Sequence, residues 1–165
     1  MDIWRIVRHL CTPQWATRRA FPRQSLKAIE EAVRRSEGLH RGQIRFAVET
    51  SLDLDSLLRG EMAAARAQDI FSLLRVWDTA ENNGVLIYLL MADRDVEIVA
   101  DRGVHERVGA PGWEQICQRM ESAFRAGRFE AGVIEGIEAV TGILAREYPA
   151  SGAGTNELPN RPVML

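Results

Sequence analysis

No window of this 165-residue sequence approaches the ~20 consecutive apolar residues of a transmembrane helix, so an integral membrane segment is not expected. The first residues, Met1 to His9, lack the apolar core and small-residue cleavage site of a secretory leader. Cysteine is scarce: Cys11 and Cys117 stand far apart, in no metal-binding or redox spacing, which points to reduced thiols and a cytoplasmic setting. An excess of one charge is missing too. A net charge of −2 gives no basic surface on which a general nucleic-acid binder would rest its affinity. No Ser/His/Asp nucleophile motif, phosphate-cradling glycine loop or dinucleotide fingerprint is present. What remains, with 46% hydrophobic and 27% charged residues, is the balance of a soluble globular chain long enough to bury a core.

The most informative stretch runs from Asp78 to Gly103. Val85 to Met91 is an unbroken apolar run entered from Asn82, Asn83 and Gly84, and it reads as a strand buried on both faces. Asp93, Arg94 and Asp95 reverse the chain, and Val96 to Ala100 returns as a second strand. In an antiparallel hairpin the start of the first strand lies beside the end of the second. Asn82, Asn83 and Gly84 are therefore expected close to Asp101, Arg102 and Gly103.

Around this hairpin the periodicities divide the chain into a basic amphipathic prefix (1–24), an α/β domain (25–148) and a flexible tail (149–165). In the prefix, Ile3, Val7 and Leu10 share a helical face beside Arg5 and Arg8, and Thr12-Pro13 suits a second helix start. Such a prefix either lies on an anionic membrane surface or packs its tryptophans on the domain. Ser25 is placed to cap a helix running to about Arg35. Ile44, Phe46 and Val48 then alternate with Arg45, Ala47 and Glu49, the period of a half-buried strand. The stretch Glu61 to Arg75 is an alanine-rich helix. After the hairpin, Trp113 to Phe124 and Phe129 to Tyr148 are further helices, the first closed by Gly127. Gly132 and Gly136 share a face, which suggests close approach of a neighbouring element. From Pro149 onward proline, glycine, serine and asparagine with little apolar content indicate a tail without a core of its own.

The expected fold is thus a single compact α/β domain, element order α-β-α-β-β-α-α, with a small mixed sheet covered by helices. A strand–helix–strand unit within one sheet makes its two strands parallel. Parallel strands begin at the same end, so the loop before Ile44 joins the two hairpin turns there. Glu37, His40, Asp78, Glu81, Asn82, Asn83, Asp101 and Arg102 gather at one rim. Arg102 is suited to grip a phosphate bidentately, and His40 to exchange protons near neutral pH. Asp78, Glu81, Asn83 and Asp101 offer oxygen ligands for Mg²⁺ or Ca²⁺. The same residues are equally suited to turn and cap formation, as are the pairs Asp53/Asp55 and Asp93/Asp95 at the opposite end.

The ordered set Asn83-Gly84-Val85-Leu86-Ile87, Asp93-Arg94, Val96-Glu97-Ile98-Val99 and Gly103-Val104 resembles the TPM domain family, which includes thylakoid-lumen acid-phosphatase-like proteins. Arg66, Ala67 and Phe71 before it, and the later pattern Phe124-x-x-Gly127-x-Phe129 with Gly132-Val133 and Gly136-Ile137, support the resemblance, which covers about Leu26 to Tyr148. It implies a compact α/β sandwich and an activity among phosphatases, divalent-metal binders and partners or regulators of membrane proteins; a fold alone does not choose among them. The chain departs from the family pattern at Arg75 to Glu81, where relatives are rich in glycine and aspartate. It departs again at Asp101-Arg102-Gly103, where they carry Gly-x-Gly. Two functions follow as expectations. One is a binding or regulatory module with a polar rim that takes a divalent cation and a protein or membrane-associated partner. The other is a metal-assisted phosphatase of phosphate monoesters using Asp101, Arg102 and His40.

Overall fold

The computed structural model describes residues 2–152 and 155–165. In chain order the elements are α1 (Ile3–Leu10), α2 (Gln14–Ala20), α3 (Arg23–Ser36), β1 (Gln43–Glu49), α4 (Leu54–Leu58), α5 (Ala63–Leu73), β2 (Gly84–Leu90), β3 (Asp95–Ala100), α6 (Arg102–Val108), α7 (Ala110–Arg125), α8 (Phe129–Glu147) and β4 (Val163–Met164). The strands form one mixed sheet in the order β3-β2-β1-β4. The apolar run forms β2 as far as Leu90: every residue of the strand is buried and it lies inside the sheet, while Met91, expected to continue it, is half-buried in the turn. β1 runs parallel to it with Ile44 beside Val85, and β3 returns antiparallel with Val85 opposite Ala100.

Period-2 alternation sends the two sets of strand side chains into two separate cores. Ile44, Phe46, Val48, Val85, Ile87 and Leu89 meet Phe21 and the apolar stripes of α3, α7 and α8 on one face. Ala47, Leu86, Tyr88 and Leu90 meet Leu57, Ala63, Ala67, Ile70 and Leu158 on the other. Gly132 and Gly136 on α8 serve contact with α7, as their spacing suggests: a Cβ on Gly132 would stand 2.9 Å from that of Ala123, and one on Gly136 would collide with Met120.

Several local expectations shift for identifiable reasons. α3 starts at Arg23 rather than behind Ser25, because Pro22, at φ −63° and ψ 163°, already sets the helix entry. α2 likewise starts behind Pro13. The loop after β1 holds to expectation: it carries a short helix, α4, capped by Asp53 Oδ1, which accepts from Ser56 N–H at 2.9 Å. β1 is not half-buried: Arg45, Ala47 and Glu49 are as covered as their apolar neighbours. Arg45 donates to the Pro159 carbonyl and Glu49 meets Arg66 and Tyr88, so alternation in polarity does not become alternation in exposure.

The two ends of the chain also depart from expectation. The described part of 149–165 lies along β1 instead of trailing free. Val163 and Met164 pair parallel with Ala47 and Val48, and Leu158 is buried. Gln43 Oε1 accepts from the Glu157 and Leu158 N–H groups at 3.0 and 3.2 Å. Composition underrates this segment because backbone hydrogen bonds, with only Leu158 and Val163 packed on the core, hold it, not a broad apolar face. The prefix is not detached, since Thr17 and Phe21 are each 1% exposed; nor do its tryptophans pack, since Trp4 and Trp15 face solvent. Met1, Ala153 and Gly154, which fall in the expected prefix and tail, lie outside the described residues. None of the described helices is long and apolar enough to cross a membrane.

The outer strand β3 is guarded by acids. Glu121 on α7 accepts from the Val96 N–H, and with Asp95 and Glu97 it lines a groove of about 490 Å³ beside Cys117. Burial and then the neighbouring carboxylates raise the pKa of Asp95 and of Glu97, and the same surroundings push the Cys117 thiol up to about 12, an inert state. A carboxyl whose folded-state pKa is raised binds its proton more tightly when folded, so stability falls as pH rises from the unfolded value through the raised one. Glu97→Gln is therefore expected to stabilise at neutral pH by about 0.5 kcal/mol after solvent screening, with the gain disappearing below about pH 4. Thermal melts of both proteins at the two pH values check this; a gain independent of pH would deny the carboxylate repulsion.

Candidate functional site

The parallel pairing of β1 and β2 fixes which loops meet. Gln43 lies beside Gly84 at the strand starts, and Asp101 N–H donates to the Gly84 carbonyl at 2.8 Å. The loop before β1, the turn before β2 and the exit of β3 therefore share one end of the sheet. The rim residues anticipated there divide into two groups.

The first group lines a cleft of about 410 Å³ containing Glu37, His40 and Glu81. The cleft also contains Arg41, Gln43 and Thr155 to Glu157, which were not anticipated. Arg41 pairs with Glu81 at 2.5 Å and donates to the Pro149 carbonyl at 3.2 Å. Glu157 accepts from Ala80 N–H at 2.9 Å, and Glu37 accepts from Asn160 at 3.0 Å. Burial raises the Glu37 pKa, a shift that Asn160 and Arg34 only partly offset. His40 is 2% exposed. Its Nδ1 lies 3.0 Å from the Gly42 carbonyl, an acceptor only, so Nδ1 carries the proton and Nε2 presents a lone pair. Burial lowers the His40 pKa, the Gly42 bond opposing, and keeps the ring neutral near pH 7.

The second group surrounds the exit of β3. Asp101 caps α6, its Oδ1 accepting from Arg102 N–H at 2.7 Å. Asn83 is 1% exposed and donates from Nδ2 to the Arg41 carbonyl at 3.0 Å, which ties this group to the cleft. Asn82 takes the left-handed conformation, φ 49°, that asparagine tolerates. Its carbonyl lies 3.0 Å from where a Cβ on Gly103 would stand, so the absent side chain brings backbone oxygen to the Asp101 turn. Arg102 is exposed at the start of α6, and Asp78 is exposed and paired with Arg75 at 2.7 Å.

Among the described residues no side-chain to side-chain hydrogen bond or ion pair joins His40, Asp101 and Arg102, Asp101 reaching only the Arg102 backbone N–H, and no three His, Cys, Asp or Glu side chains group closely enough to ligate one ion. What the rim does concentrate is unmet acceptors. Three buried side-chain atoms without a partner among the described residues can only accept: Asn83 Oδ1, Asp101 Oδ2 and His40 Nε2. All three lie at this end of the sheet. The remaining orphans, such as Arg45 Nε and Trp113 Nε1, carry or share a proton. Leaving a buried acceptor unmet costs about 1–3 kcal/mol.

Comparison with known proteins agrees with the fold. Residues 17–143 match the family model described as TPM domain. The NMR structure of the BA42 protein from the psychrophilic bacterium Bizionia argentinensis is similar at a TM-score of 0.74 and 30% identity, over 86% of this chain and 93% of that one. No curated protein matches the sequence.

Proposed function

From a chain that belongs to the TPM domain family, we propose a binding or regulatory module whose rim takes a divalent cation beside a ligand-receiving cleft. The carrying observation is the gathering of the three unmet acceptors, Asn83 Oδ1, Asp101 Oδ2 and His40 Nε2, at one end of the sheet. Carboxylate, amide and carbonyl oxygens suit a hard ion such as Ca²⁺ or Mg²⁺. Asp101, Asn83 and the Asn82 carbonyl are the groups that would hold it; the cation would supply the positive charge that their desolvated oxygens lack. Asp78 and Glu81 are engaged with Arg75 and Arg41 and would join only by leaving those partners. The cleft, with neutral His40 and the Arg41–Glu81 pair, is the recognition surface for a partner. Catalysis is not part of this reading, because the side chains of the three residues expected to perform it form no hydrogen bond or ion pair with one another, the Asp101 carboxylate being used to cap α6.

Thermal melting with millimolar Ca²⁺ or Mg²⁺, against chelator, tests the cation. Binding to the folded state alone stabilises by about 2.7 kcal/mol at a hundredfold excess over the dissociation constant, so an upward shift of several degrees is expected. Asp101→Asn keeps the helix cap and should abolish the shift. Asp53→Asn, at the opposite end, should leave it intact. Wild type that melts identically with and without cation sinks the proposal.

A further inference from the structure

We infer that α1 and α2 form a lipid-docking surface, with the apolar face of α1 seated on an anionic membrane. α1 is mounted inside out. An amphipathic helix on a globular domain ordinarily turns its apolar stripe inward. Here Ile3, Trp4, Val7 and Leu10 fall within an arc of about 120° at ~100° per residue, and that arc faces solvent. Their exposures are 64%, 82%, 44% and 66%. Only Ile6, outside the arc, packs against the domain.

The inward face is polar and specifically bonded. His9 is buried, its Nδ1 accepting from Leu52 N–H at 3.0 Å and its Nε2 3.1 Å from Asp93 Oδ2. Arg5 donates to Asp93 Oδ2 and to the Glu61 carbonyl, each at 2.9 Å, and Arg8 also pairs with Asp93. Asp93 would be raised by burial, yet the Arg5 and His9 bonds outweigh this and hold its pKa down. These contacts fix the roll of the helix. Exposure of the apolar arc is thus the consequence of defined bonds at the hairpin tip.

Charge selects the occupant. Of 21 basic and 23 acidic residues, six basic and one acidic fall in the first 27, leaving 15 against 22 in the remainder. Arg18 and Arg19 on α2 are exposed beside Trp15, itself 64% exposed. Exposed tryptophan and arginine together with an exposed apolar arc are what an anionic bilayer interface accepts. A second copy seated face to face would set two basic segments against each other. The acidic remainder of the molecule would be repelled from the same surface, which orients the domain away from it. This surface lies at the hairpin tip, the end of the sheet away from Asp101, so it stands or falls independently of the cation.

Co-sedimentation of the full chain with vesicles, in EDTA, is the test. Pelleting is expected with vesicles containing phosphatidylglycerol and not with phosphatidylcholine alone, and is reversed by salt. Trp4→Ser combined with Val7→Glu should lower partition by roughly tenfold or more, and Arg18→Glu with Arg19→Glu should lower it likewise. All four positions are exposed, so unchanged melting temperatures serve as the check on folding. Absence of binding to the anionic vesicles, or equal binding by wild type and the Trp4/Val7 variant, overturns the inference. So does a concentration-dependent dimer that the Trp4/Val7 variant loses, without vesicle binding, which would assign the face to a second copy.

Discussion

Replacing Arg66 with methionine is expected to destabilise the protein by about 3 kcal/mol, the lower end of the cost of stranding one partner of a buried ion pair. Glu49 ends β1, an inner strand, with its side chain 10% exposed. Its carboxylate accepts from Arg66 at 2.9 and 2.8 Å, a two-pronged pairing, and from the Tyr88 hydroxyl at 2.7 Å. Burial, and then the bond to Glu49, raises the Tyr88 pKa, so the hydroxyl remains a donor across the usable pH range. Without the guanidinium, Glu49 keeps one bond for a desolvated charge. Combining Arg66→Met with Glu49→Leu should restore most of the loss, since similar-sized apolar pairs often replace buried ion pairs at little cost. Tyr88→Phe should cost only about 1 kcal/mol. Urea midpoints of the four proteins decide the matter: a loss under ~1 kcal/mol for Arg66→Met would mean that water already solvates the pair.

This cluster shows what was legible in the sequence and what was not. Val85 to Leu90 announced a buried strand because every residue is apolar, and all are buried. Once that strand and the Glu61–Arg75 helix were recognised, the parallel partner, the antiparallel return and the shared rim followed from connectivity. The Ile44 strand misled because Arg45 and Glu49 declare polarity without declaring partners. Those partners stand at Pro159, Arg66 and Tyr88, contacts of long sequence separation that no periodicity encodes. The site divides the same way. Asn83, His40 and Asp101 were visible as polar residues at the ends of apolar runs. Gln43 and Arg41 were not, because their roles depend on the chain beyond residue 149 returning to meet them. A residue pair such as Gln43 and Leu158 was the available signal, a polar strand start and a late leucine, but neither names the other.

Gly84→Ala is expected to be the most damaging small substitution in the chain, costing about 3 kcal/mol or more, the upper range for forced overpacking. Its sign cannot be taken from propensity. Glycine weakens a strand interior, and Gly84 does not hold a left-handed backbone conformation, so alanine should on local grounds be favourable. The surroundings reverse that. A Cβ here would lie far inside 3.0 Å of the Val76 carbonyl oxygen and 3.0 Å from both Val76 C and Cγ1. Val76 is fully buried, and its N–H is held by the Phe71 carbonyl at 3.0 Å, so this backbone has no room to retreat. Gly84 also accepts from Asp101 N–H and pairs with Gln43, so displacement would reach both halves of the rim. Gly142→Ala is the matched control. It lies on the exposed side of α8 with nothing within 4 Å of the added carbon, and should stabilise by about 0.5–1 kcal/mol. Denaturant midpoints should therefore move in opposite directions for the same chemical change. Two stabilising alanines would show that Val76 yields, and the rim with it.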